Sequence, residues 1–208
     1  MNDFTFDPIK HRYYYDGRHV PNVTSLEEEY GLINFDGVPR DRLEYKTVLG
    51  SAVHYAIMLH NQDNLNEESL DPRIKGFFLA YRKFTEVFKY EPRRTELRLY
   101  SKKWRFAGTL DSQGLFYWKQ KEIEAIIDWK CTWALYPANA VQTAAYQILL
   151  EENYPDIKIK GRFSLQLKDT GCYELLEHTD KTDRNTFLAA LTLHYWRVKY
   201  GLIKQTEE

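Results

Sequence analysis

The chain has 208 residues, enough for one domain whose core buries roughly 70% of the unfolded surface. Hydrophobic residues make up 43% and aromatic residues 15%, a content that excludes an intrinsically disordered chain. With 29 basic against 30 acidic residues the formal net charge is -1, which excludes a protein that coats nucleic acid through a global positive field, but not one that holds phosphate locally.

The N-terminus lacks the apolar run of a signal peptide and no segment reaches bilayer-spanning length, so a soluble, cytoplasmic protein without a membrane partner is expected. The run Tyr13-Tyr14-Tyr15 before Asp16-Gly17 predicts a hairpin over His11 to Val20. Lys10, Arg12, Arg18 and His19 cluster around it, a pattern more typical of a solvated face than of a phosphate site. Tyr45, Leu49, Val53 and Ile57, at steps of four, predict the buried stripe of a helix over Arg42 to Leu59. A second helix is capped by Asp71, has Pro72 at its first position, buries Ile74, Phe77, Phe78, Tyr81, Phe84 and Phe88, and is ended by Pro92. Four strands should follow, at Thr95 to Tyr100, Trp104 to Leu110, Gly114 to Trp118 and Ile123 to Trp129. Pro137 opens a helix with Val141, Ala145, Ile148 and Leu149 inward, and Pro155-Asp156 ends it. A hairpin then pairs Arg162 to Leu167 with Cys172 to Glu177 around Asp169-Thr170-Gly171, before a last helix over Asp183 to Tyr200. The order predicts an α/β sandwich around a mixed sheet, in a single domain over 1–208 with 1–41 as hairpin and lead-in.

Chemistry concentrates in IIDWK, where period-two alternation puts Asp128 and Lys130 on one strand face and Ile127 and Trp129 on the other. Asp111 is expected at the end of a neighbouring strand and Glu96 on the strand before it, so three carboxylates can converge. Such hard oxygen ligands suit magnesium, and two ions about 4 Å apart stabilise both the attacking and the leaving oxygen of a phosphodiester. Taken singly, each residue has an ordinary reading: Asp128 and Lys130 as a solvated pair, Glu96 as surface, His54 as a hydrogen-bonded, partly buried histidine. Gln142 and Tyr146 read as a polar rim opposite the apolar stripe of their helix. Trp133 and Tyr136, between the Asp-x-Lys strand and that helix, either stack on unpaired bases or pack their loop onto the core. Cys131 and Cys172 match no zinc spacing and read as reduced thiols.

The ordered set GSAVH, Glu96, GTLD, IIDWK and QTAAY resembles the RecB-like, phage-exonuclease branch of the PD-(D/E)xK nuclease superfamily, from about the N-terminal hairpin to the final helix. The resemblance implies a restriction-endonuclease-like core of αβββαβ order and a DNA exonuclease dependent on Mg2+ or Mn2+, acting in phage or bacterial recombination, replication or repair. It implies that Asp111, Asp128, His54 and the main-chain carbonyl of Trp129 bind two ions. Lys130 would orient the attacking water and stabilise charge, Gln142 and Tyr146 would position Lys130 and the DNA backbone, and Glu96 takes the earlier acidic position. With two cysteines, no iron–sulfur cluster is expected. DNA is the implied partner, with a single-strand annealing or single-strand-binding protein as an accessory, in the cytoplasm of a bacterial host cell if phage-encoded. A structure-specific endonuclease of the same fold and a non-catalytic DNA-end-binding protein are the alternatives.

Overall fold

The structure, a computed structural model, describes residues 4–203; positions 1–3 and 204–208 of the expected domain lie outside the described residues. The aromatic N-terminus forms an antiparallel meander of β1 (Phe4–Asp7), β2 (Arg12–Tyr15) and β3 (Arg18–Val20). Asp16 and Gly17 take positive φ of 49° and 71°, the expected tight turn. Phe4, Phe6, Tyr13 and Tyr15 pack around Tyr100 and Ala107, which fastens this small sheet to the main one.

A short helix that apolar periodicity does not announce comes next, α1 (Val23–Glu29). Its start is a capping box: the Asn22 side chain accepts from the Ser25 N–H, and the Ser25 hydroxyl accepts from the Asn22 N–H. In α2 (Arg40–Asn61), Leu49, Val53 and Ile57 are buried as predicted. Tyr45 is instead half exposed, because the helix projects beyond the core until Leu49. The Asp71 carboxylate caps α3 (Pro72–Phe88) by accepting the Arg73 N–H. This helix ends at left-handed Lys89, not at Pro92, which lies inside β4 (Glu91–Tyr100). β4 is the sheet edge, and Pro92 sits at a register shift, where a missing N–H costs no ladder bond.

Three strands, not four, form the first part of the main sheet: β4, β5 (Ala107–Trp118) and β6 (Lys121–Lys130). Gly114 marks no turn but a close approach, since a Cβ there would stand 2.1 Å from the Glu91 carbonyl oxygen. The actual turn is Lys119-Gln120, at φ 47° and 66°, built from residues with no turn preference. α4 (Ala138–Asn153) then crosses over to β7 (Gly161–Leu167), which pairs parallel with β6, and β8 (Tyr173–Glu177) returns antiparallel. α5 (Thr182–Lys199) closes the described fold. The result is a five-stranded mixed sheet in the order β4-β5-β6-β7-β8 flanked by helices, and α3-β4-β5-β6-α4-β7 follows the expected αβββαβ order. One sheet face buries α2 and α3, the other α1, α4 and α5. A nearly buried Arg162 ties β7 to the second layer, donating to the Ala140 and Asp180 carbonyls and, at 2.8 Å, to the Asp183 carboxylate. Among the described residues no helix is long and apolar enough to cross a membrane.

Candidate metal centre and its lysine

The centre sits where two neighbouring strands lose their alternation together. In β5, Leu110 packs into the α4 and α5 layer, yet Ser112, two residues on, meets the buried Tyr90 hydroxyl at 2.6 Å in the opposite layer. In β4, Leu97 and Leu99 belong to the α4 and α5 layer, whereas Thr95 accepts from Asn61 of α2. Side chains two apart on a regular strand share a face. The reversals therefore fall at Glu96 and Asp111, which stand opposite each other between the pairs Thr95↔Ser112 and Leu97↔Leu110. Glu96 carries left-handed φ of 51°, a strained value for a residue with a Cβ. Asp111 is thus in the middle of β5 rather than at a strand end.

His54 of α2 faces this position. Its Nδ1 is 3.2 Å from Glu96 Oε1 and 3.6 Å from Asp111 Oδ1, and the ligand atoms of the three residues lie within 4.8 Å of one another. Burial alone lowers an imidazole pKa, but here the Asp111 and Glu96 carboxylates outweigh it and raise His54 to about 9. Asp111 is held by the main-chain N–H of Trp129, which donates to Oδ2 at 2.8 Å. The β5–β6 ladder ends at Ser112↔Ile127, so this N–H is free to take the carboxylate. The Trp129 ring is buried in the opposite layer, as alternation predicts.

Asp128 and Lys130 share a face, with Asp128 only 1% exposed. Lys130 Nζ lies 2.7 Å from Asp128 Oδ2 as an ion pair without hydrogen-bond alignment, and donates at 2.7 Å to Gln142 Oε1. Gln142 Nε2 in turn donates to the Tyr146 hydroxyl at 3.0 Å. Neither Gln142 nor Tyr146 is on a polar rim. Both are buried, because α4 is wedged between the sheet and α5, and Tyr146 belongs to the core. Gly108 lets it in: a Cβ there would come within 3.0 Å of the Tyr146 ring.

The charges fit one another poorly without a further cation. Burial raises Asp128 to about 6 against the pull of Lys130, and raises Asp111 against the pull of His54. Asp128 Oδ1 has no hydrogen-bond partner among the described residues. Lys130 is pushed down by burial but pulled up further by Asp128, Asp111 and Glu27, so its net shift is upward and it stays an ammonium. Sequence reasoning missed Glu27. It is fully buried on α1, neither of its oxygens has a hydrogen-bond partner among the described residues, and burial raises it to about 8. In the sequence it is the first of the polar run Glu27-Glu28-Glu29, which reads as a solvated face, so residue type alone does not mark it as buried.

Beyond Lys130, Trp133 is 93% exposed and Tyr136 is 55% exposed, so neither ring packs its loop onto the core. Burial pushes the Cys131 thiol up to about 12, which disfavours the thiolate. Lys10 and Arg18 are exposed on the N-terminal hairpin, in keeping with a solvated face.

No family model and no curated protein matches the chain. Among solved structures, a crystal structure from Eubacterium rectale described as a "Putative exonuclease" is similar over 86% of this chain and 74% of that one, at 13% identity and a TM-score of 0.43. Any functional reading therefore rests on the side chains of this chain.

Proposed function

We propose that the chain is a nuclease, a single domain of the PD-(D/E)xK kind that hydrolyses DNA phosphodiesters from a free end and requires Mg2+ or Mn2+. The observation that carries this reading is the joining of two groups, the His54, Glu96 and Asp111 cluster and the Asp128 and Lys130 pair, through the Trp129 N–H. The donor set is hard, mostly carboxylate and partly unpartnered, as a divalent oxygen-seeking ion requires. His54, Glu96, Asp111, Asp128 and the Trp129 carbonyl would hold one or two such ions. When bound, they would neutralise the phosphate and polarise the attacking water.

The chain's own residues do the rest. Lys130, kept protonated by its carboxylate neighbours, presents a fixed positive charge to the phosphate oxygens on which negative charge builds, and is a poor general base. Gln142 fixes the direction of that ammonium and Tyr146 fixes Gln142, so the pair acts on Lys130 and not on the substrate directly. The order of the five sequence elements and their resemblance to the RecB-like branch support DNA as the substrate and recombination, replication or repair in a bacterial cytoplasm as the setting, with a single-strand annealing or single-strand-binding protein as a natural accessory.

The test is digestion of end-labelled linear DNA with magnesium, with manganese and with chelator. Linear DNA is expected to shorten only with a divalent ion, and covalently closed circles to survive. Asp128→Asn and Lys130→Ala should each lower turnover by about 100-fold or more with the fold intact. Undiminished cleavage by either variant refutes the site, and linearised circles refute end dependence.

A further inference from the structure

The loop at residues 131–137 turns two aromatic rings to solvent, yet its backbone is firmly held. The buried Gln166 side chain donates from Nε2 to both the Thr132 and the Trp133 carbonyls, at 2.8 and 2.7 Å. The Thr132 hydroxyl donates to the Ala134 carbonyl at 2.8 Å, and the Tyr136 N–H donates to Asn139 Oδ1 at 2.7 Å. Gln166 is also the register partner of Lys130 across β6 and β7, so the clamp and the lysine are set by one rung of the sheet. Tryptophan is among the side chains that gain most from burial, and here it stands outside the core on a loop held by the buried Gln166 side chain.

What lies near the ring along the chain narrows its occupant. Trp133 is three positions along from Lys130, with only Cys131 and Thr132 between, so its backbone stands no more than about 11 Å away. Lys46, on the projecting first half of α2, lies close enough to Cys131 for its charge to be felt there. Two rings and a lysine beside a cluster of carboxylates do not make the roughly 800 Å² that a stable protein partner covers. A flat ring beside a phosphate-handling centre does match a nucleobase, whose π-face stacks whatever its identity. In a duplex those faces are already covered by neighbouring pairs.

We propose that Trp133, flanked by Tyr136, is a stacking platform for an unpaired nucleobase, and that the strand reaching the centre is single-stranded. This rests on the nuclease reading for its choice of ligand. The platform is preorganised, so binding need not order the loop first.

The experiment measures fluorescence anisotropy of a short fluorescein-labelled oligothymidylate, of the same strand carrying abasic sites, and of a blunt duplex of equal length. Calcium replaces magnesium, salt is held constant, and strand integrity is checked on a gel. Trp133→Ala is expected to weaken binding of the oligothymidylate on the order of 10- to 100-fold, and Trp133→Phe to restore most of it. Affinity for the abasic strand and the duplex should not change. Equal binding of the oligothymidylate by the wild type and Trp133→Ala overturns the platform, as does an equal loss for the abasic strand. The two readings part cleanly. If the base-dependent loss appears but the wild type cleaves nothing in magnesium, the platform stands and the nuclease falls. If magnesium-dependent cleavage appears with no base-dependent loss, the nuclease stands and the platform falls.

Discussion

His54 joins two carboxylates that otherwise repel, and does so as a cation. Held near pKa 9 by Asp111 and Glu96, its imidazole is protonated at neutral pH. A divalent ion at the same ligands must displace that proton, so metal binding should release protons and strengthen as pH rises towards about 9. Calorimetric titration of magnesium or manganese in two buffers of different ionisation enthalpy reads this directly. The wild type should release close to one proton more per ion at pH 7 than His54→Ala does. Identical heats in both buffers would remove His54 from the ligand set.

Tyr146 shows what an element can do that a residue cannot. α4 is driven against β5 by a nearly continuous buried surface, and that pressure holds the Tyr146 hydroxyl where Gln142 can use it. Tyr146→Phe keeps the ring and removes the acceptor, leaving the Gln142 amide unsatisfied in the interior at a cost of about 1–3 kcal/mol. Thermal unfolding should fall by several degrees. Turnover should drop further than the small change in shape explains, because Lys130 loses its direction. The helix itself was legible: Pro137 opens it, and Val141, Ala145, Ile148 and Leu149 do face the core. Its polar face was misjudged because Asn139, Gln142 and Thr143 are buried too, and periodicity reads polarity rather than depth. Likewise Asp128 and Lys130 were placed by alternation alone, whereas β5 was split in two because Asp111, Ser112 and Gly114 read as charged or turn-prone breakers although they lie inside the strand. α1 escaped notice because its seven residues, about two turns, carry only two buried apolar side chains, Val23 and Leu26, although Asn22 and Ser25 held its signature.

At the scale of the whole molecule, the buried carboxylates set how stability follows pH. Asp128 rises from 3.8 to about 6 and Glu27 from 4.5 to about 8, so the folded chain holds these protons more tightly than the unfolded one. Their stabilising contribution is complete below about pH 4 and is lost as pH climbs through the folded values, so what these two groups add is gone above about pH 8. Glu27→Gln should thus leave the melting temperature in chelator nearly unchanged at pH 4, and raise it by several degrees at pH 9, since the buried charge is worth on the order of a few kcal/mol. A flat difference between the two proteins across this range, read by scanning calorimetry, would show that Glu27 is not buried as an acid.

Glu96 extends the same logic from charge to backbone. The left-handed turn that aims its carboxylate at His54 is a conformation that glycine adopts freely and glutamate adopts at a cost of about 1–2 kcal/mol. The position therefore sets backbone strain against the contact with His54. Glycine there would relieve the strain and forfeit the contact with His54, so backbone comfort and the proposed metal site pull this position in opposite directions.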